Sequence, residues 1–342
     1  MLYRYLLNQT RHPTVLCKRI TLKTIDMNTK LLNASKLFLS ASVLFLFTGC
    51  NKNTIIFENG DETGNSSGKT TLVTFNASVE GRNHLTRAMS PMEKGIQNRL
   101  FAFKSPASST TDAPVAEGLY ITSSPGILIG TEGYKMYLDE GVYNFYAVSD
   151  NFSTIPPVFR NGRSEPLFNG IDYLWWHASQ QDVTSAQINI PIVYLHAGTQ
   201  VVFEVTAGDS LKLDRLVSAT ITPPEPGGSM DLQSGIISPA STYGPADKMG
   251  INGFLAQYIM LPLKTDTPML LTLEIMANGE TSSRTYNVKV QLPDGELKQG
   301  DSYLFSTVIN ENSVVFPSVS VKYWTDIDET GKPLYPTEIN SK

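Results

Sequence analysis

Thr71-Leu72-Val73-Thr74-Phe75-Asn76-Ala77-Ser78-Val79 alternates apolar with polar side chains: Val73, Phe75, Ala77 and Val79 occupy one set of positions, Thr74, Asn76 and Ser78 the other. Successive side chains of a strand point to opposite faces, so this period of two predicts a β-strand with one face buried. Short segments of the same kind recur at 100–103, 118–122, 134–138, 142–148, 201–206, 270–276, 285–292, 303–309 and 314–323. Turn residues punctuate them, notably Asp139-Glu140-Gly141 and Pro293-Asp294-Gly295, and no stretch sustains a helical period. Many short strands with turns every ~8 to 12 residues predict a mostly β fold of antiparallel sandwiches. Two tandem sandwich domains suit the length, at residues 70–185 and 186–342, with the boundary where Gln180-Gln181-Asp182 interrupts the apolar density after Trp175-Trp176.

Upstream of the first strand the composition changes twice. Asn59-Gly60-Asp61-Glu62-Thr63-Gly64-Asn65-Ser66-Ser67-Gly68 is too polar and glycine-rich to pack, and residues 50–69 read as a flexible tether. Before it, Lys30 and Lys36 precede an apolar run at 37–47 that ends in Leu46-Phe47-Thr48-Gly49-Cys50. A basic region, a short apolar core and small residues before a single thiol form a lipoprotein signal: cleavage falls between Gly49 and Cys50, and the Cys50 thiol takes the lipid. The apolar run is well short of the ~20 residues that span a bilayer as a helix. Residues 1–49 are therefore read as leader and signal peptide, with Met27 the expected start because 1–26 carry charges and Pro13 without forming an export element.

Removing 1–49 takes seven Lys and Arg and one Asp from totals of 27 and 32, leaving 20 basic and 31 acidic residues and a net charge of -11. Such a chain is repelled by nucleic-acid phosphates and anionic headgroups, so nucleic acid is excluded as a partner and membrane attachment falls to lipid on Cys50. Cys17, the second of the 2 cysteines, is in the leader, which leaves no internal disulfide.

No catalytic constellation emerges. His12, His84, His177 and His196 have no spacing that seats two on one metal, and neither a nucleophile elbow nor a phosphate-cradling glycine loop is present. Asp326-Ile327-Asp328-Glu329-Thr330-Gly331 has carboxylates at the first and third positions of a calcium loop, but its twelfth is Thr337, so a hairpin turn leading to 334–339 is the better reading. Asp139 and Glu140 are adjacent and point to opposite faces, which suits a solvated turn and not a hydrolase acid pair. Enzyme function, cofactors and metals are not expected. Trp175 and Trp176, with Tyr143 and Tyr146, are candidate stacking platforms for a sugar; the plainer reading puts one indole in a core and the other at a domain interface.

Taken together, the cleavage box at Cys50, the strand 71–79, Leu85-Thr86-Arg87-Ala88, the hairpin around Gly141-Val142-Tyr143-Asn144-Phe145-Tyr146, Val193-Tyr194-Leu195-His196-Ala197, Lys298-Gln299-Gly300-Asp301-Ser302-Tyr303 and Val319-Ser320-Val321-Lys322-Tyr323-Trp324 resemble the fimbrillin family, the lipoprotein-derived pilins of Bacteroidales type V pili. The resemblance covers nearly the whole chain after Cys50. It implies transthyretin-like sandwiches and a cell-surface fimbrium subunit at the outer membrane with a role in adhesion to host or bacterial surfaces. It also implies maturation by a trypsin-like cut after an arginine, which Arg87-Ala88 matches, with Arg82 a second candidate and Arg99 a poorer one. Excision of the first strand would then let a C-terminal segment of a neighbouring subunit, within 314–339, add in its place and build a head-to-tail polymer. An uncut anchor subunit, or a surface glycan-binding lipoprotein using the aromatic rings, is the alternative.

Overall fold

A computed structural model describes residues 70–80, 89–184, 186–208, 211–322 and 324. Gly49, Cys50, Arg82, Arg87 and Ala88, the 326–331 loop and the 334–339 segment lie outside the described residues. Among the described residues the chain is almost entirely β, and no helix is long and apolar enough to cross a membrane.

The first half is one sheet. It contains β1 (Thr70–Val79), β2 (Ser90–Pro91), β3 (Gln97–Lys104), β4 (Ala116–Ser124), β5 (Ile127–Gly130), β6 (Met136–Asp139) and β7 (Gly141–Ser149). A short hairpin, β8 (Phe159–Arg160) and β9 (Arg163–Ser164), leads to β10 (Leu174–Val183) and β11 (Gln187–His196). The path β11-β10-β7-β3-β4-β5-β1 returns to β11, because β1 and β11 pair in parallel from Leu72↔Gln187 to Val79↔Tyr194. In place of an open two-layer sandwich, the seven strands close into a barrel, which leaves none of them as a sheet edge. The strand 187–196, which the sequence reading puts at the start of the second domain, supplies the last stave.

Inside the barrel, Val73, Phe75 and Ala77 of β1 meet Leu100, Tyr120, Met136, Phe145, Ile190, Ile192 and Tyr194. Strands β3 and β7 are buried on both faces: Leu100 and Ala102 point into the barrel, while Phe101 and Phe103 join Tyr146, Val148, Trp175, Met230 and Leu232 in a second cluster outside it. That double burial explains the unbroken run Leu100-Phe101-Ala102-Phe103, where alternation fails.

The second half holds two sheets around one core. Strands β12 (Thr199–Ala207), β13 (Leu213–Ile221), β14 (Asp247–Lys248), β15 (Gly250–Asn252), β16 (Leu255–Met260), β17 (Leu263–Lys264), β18 (Met269–Ala277), β19 (Arg284–Val290), β20 (Glu296–Leu297), β21 (Ser302–Ile309) and β22 (Val314–Lys322) follow in order. Nine of them form a five-stranded sheet, β15-β16-β12-β21-β22, and a four-stranded sheet, β14-β13-β18-β19, while β17 and β20 pair with each other. Phe203 and Phe305 from the first stack at 4.9 Å and share a core with Leu271, Leu273 and Ile275 from the second. Pro293-Asp294-Gly295 makes the expected tight turn, with φ of 51° at Asp294 and 71° at Gly295.

Candidate functional site

Strand β1 is the element whose sequence reading carries function, and its surroundings define the site. One edge pairs in parallel with β11; the other pairs antiparallel with β6 over Thr70–Val73, with β5 at Asn76↔Ile127 and with β2 at Ser78↔Pro91. Two side chains reinforce the parallel seam: Thr74 Oγ1 donates to Ile188 O at 3.1 Å and Ser78 Oγ donates to Ile192 O at 3.1 Å. Proline at 191 is tolerated because β10 pairs with β11 only at Leu174↔His196 and Trp175↔Leu195, leaving Pro191 clear of that ladder.

The inward face of β1 packs closely. The Phe75 ring meets Tyr120 edge-on at 5.4 Å between centroids and Phe145 at 6.1 Å. Tyr120 Oη is buried without a hydrogen-bond partner of good geometry, the backbone of Met136 being its polar neighbour, and burial pushes its pKa well up. Close by, Tyr194 Oη donates to Asn98 Oδ1 at 2.8 Å. Burying a Val or Phe is worth about 1.5–3 kcal/mol each, so Val73 and Phe75 alone tie β1 down by several kcal/mol gross. After Val79 the chain makes one more bond to the seam, Glu80 N to Tyr194 O at 2.9 Å. It is next described at Met89, which is exposed, and Arg87-Ala88 falls between.

The other candidates lie elsewhere. Arg99 is buried in β3, donating to Glu117 Oε1 at 2.6 Å and to Pro156 O, and so offers no loop to a protease. Asp139 and Glu140 are exposed in the β6–β7 turn. The four candidate sugar platforms form no exposed row. Tyr143 and Tyr146 are buried, Trp176 packs against the barrel core, and Trp175 is 8% exposed with Nε1 donating to Leu232 O at 2.8 Å. The glycan-binding alternative thus loses the surface on which it rested. Among the described residues no three His, Cys, Asp or Glu side chains cluster as a metal site. His196 pairs with the buried Asp172 at 2.7 Å, and Trp324 lies against its ring.

The partner strand β11 is what the sequence reading missed as part of this site. Its signal was present: Ile188, Ile190, Ile192 and Tyr194 alternate with Gln187, Asn189, Pro191 and Val193. Pairing of strands more than 100 residues apart leaves no local trace.

A family model described as Fimbrillin-like matches residues 86–324. The fold is shared with solved structures of proteins assigned to cell adhesion. One from Bacteroides uniformis is 16% identical, with a TM-score of 0.55, and the match covers 75% of this chain and 99% of that one. Another, from Bacteroides ovatus, is 15% identical with a TM-score of 0.52, covering 76% of this chain and 100% of that one. No curated protein matches the sequence.

Proposed function

Because the chain belongs to the fimbrillin-like family, a family of surface pilus proteins with structural and adhesive roles, we propose that it is a pilus subunit whose first strand is exchangeable. The observation that carries this reading is the position of β1. It is the first described strand, it closes the barrel along both edges, and one cut in the connection at 81–88 would sever it from every strand that follows.

Cleavage after Arg87 would leave β1 held by non-covalent contacts alone, with Ala88 the new N-terminus. Its departure would uncover the barrel core and two ladders of unpaired backbone groups, on β11 and on β6 and β5, which recruit another strand. A neighbouring subunit supplying that strand makes a heterologous contact that does not close, so the product is a filament. Signal peptidase cleavage before Cys50, with lipid on its thiol, would carry the uncut protein to the outer membrane surface and keep it there until maturation. The transthyretin-like sandwich pair implied by the family resemblance belongs to the same reading.

The extensive pairing of β1 also suits a second role, that of an uncut anchor that keeps its lipid. Limited trypsin digestion of the folded full chain separates the two. A new N-terminus at Ala88, loss of the 70–80 segment and an oligomer ladder on denaturant-free gels support the exchangeable strand. A resistant protein that stays monomeric points to the anchor.

A further inference from the structure

Where β11 ends, the barrel and the five-stranded sheet border a cavity of about 690 Å³, within the range of roughly 300–1,000 Å³ common for small-ligand sites. The chain reaches it after β1 through Glu80, at the end of β11 through Leu195 and His196, before β21 through Asp301, and at the end of β22 through Val321 and Lys322.

The charged groups of this cavity are not used up by the fold. Glu80 is bonded through its backbone N–H, to Tyr194 O, and among the described residues its carboxylate has no partner. Asp301 accepts from Tyr303 Oη through Oδ2 at 3.2 Å, which leaves Oδ1 free, and the Lys322 ammonium makes no ion pair among the described residues. Opposite charges therefore border one cavity without pairing.

A further acceptor is held in place from behind. His196 Nδ1 meets the buried Asp172 Oδ1 at 2.7 Å, and Asp172 Oδ2 accepts from Asn151 Nδ2 at 2.8 Å. A carboxylate fixes the proton on the ring nitrogen that faces it, so in the neutral imidazole Nε2 keeps a lone pair. Among the described residues that nitrogen has no partner.

The wall between these groups is apolar, with Leu195 44% and Val321 56% exposed. A ligand that fits carries a donor-rich cation for Glu80, Asp301 and His196, an aliphatic stem for Leu195 and Val321, and a carboxylate for Lys322. Guanidinium suits the acceptors best, because its N–H donors spread in a plane over several oxygens at once. A bare metal ion does not suit them, since no three His, Cys, Asp or Glu among the described residues cluster to coordinate it. Nor does a sugar, because Trp175 and Trp324, the indoles that border the cavity, are both buried and offer no open face for stacking.

We infer that this cavity binds arginine with a free α-carboxylate, as the amino acid or as the last residue of a peptide. Glu80 directly follows β1 and Asp301 directly precedes β21, so one guanidinium ties the end of the first described strand to the second half of the chain.

Calorimetric titration of the folded full chain with L-arginine, agmatine, L-norleucine and glycyl-glycyl-arginine tests this. Arginine binds; agmatine, which lacks the carboxylate, binds about 2- to 5-fold more weakly, the worth of an exposed ion pair, and norleucine, which lacks the cation, does not bind. Lys322→Met removes the preference for arginine over agmatine, while Glu80→Gln weakens both by about 2- to 5-fold. Both replaced side chains are exposed, so the fold survives the changes. Binding of the tripeptide assigns the site to a peptide end, and its failure beside bound arginine assigns it to the free amino acid. Equal binding of arginine and agmatine, equal binding of arginine and norleucine, arginine binding untouched by Glu80→Gln, or no binding of any of these at millimolar concentration overturns the inference.

Discussion

Trp324 lies flat on the imidazole of His196, with ring centroids 4.0 Å apart and planes inclined by 3°. The indole Nε1 also donates to Gly300 O at 2.6 Å, and His196 Nδ1 meets Asp172 Oδ1 at 2.7 Å. His196 ends β11, the parallel partner of β1, so Trp324, at the end of the described chain, is clamped to the strand that pairs with β1. The stack sits beside a cavity of about 690 Å³ that Glu80 also lines.

Trp324→Ala should destabilise the protein by about 3 kcal/mol, the lower end for a buried large aromatic. His196→Ala should cost less. A double-mutant cycle read by urea denaturation should give a coupling of about 0.5–1.5 kcal/mol between them. Additive single mutants would mean that the stack holds nothing.

Gly235 has a φ of +71°, and a Cβ there would come within 2.3 Å of Trp175 Cδ2. Gly235→Ala therefore adds overpacking to backbone strain and should cost about 2–4 kcal/mol. Displacement of Trp175 should break its bond to Leu232 O and shift tryptophan emission to longer wavelength.

Asp150 gives the protein a stability that depends on pH. Burial raises its pKa from 3.8 to about 7, the Glu165 charge adds to this, and Thr154 and Arg99 oppose it. Its Oδ2 accepts from Thr154 Oγ1 at 2.8 Å, while Oδ1 has no partner. A raised carboxyl pKa means that the folded state binds more protons than the unfolded one between the two values, so stability falls as pH rises from about 4 through 7. Asp150→Asn should flatten this slope and leave the variant more stable than the parent at pH 8, by up to a few kcal/mol. Chemical denaturation at pH 5 and pH 8 measures both effects.

Phe75→Ala should cost about 3–5 kcal/mol by opening a void between Tyr120 and Phe145. In the uncut protein this appears as a lower denaturation midpoint. Faster loss of the 70–80 segment after trypsin treatment should accompany it, because Phe75 is a main tie of that strand.

The strands at 118–122, 142–148, 201–206, 270–276 and 303–309 were legible because alternation and turn residues are local signals, and each falls within an observed strand; 100–103 also falls within one, on its apolar density and not on alternation. Closure of the barrel was not, since it depends on Leu72–Val79 finding Gln187–Tyr194 across the sequence. Trp175-Trp176 illustrates the middle ground. Alternation puts the two rings on opposite faces, Trp176 against the barrel core and Trp175 in the outer cluster. The interruption at Gln180-Gln181-Asp182 is a bulge between Ala178 and Gln181, with φ of 52° at Gln180, inside β10. A local break in apolar density does not distinguish a bulge from the end of a sheet.

The seam between β1 and β11 also sets an order of events for a chain that is secreted N-terminus first. Thr74 bonds to Ile188, 114 residues further on, so the first described strand has no lasting parallel partner until most of the barrel has followed it. Closing so long a loop is slow compared with forming the hairpins in between. Throughout that interval the alternating, apolar 71–79 segment is an open edge, and whatever escorts the chain across the cell envelope must keep it from the same segment of its neighbours.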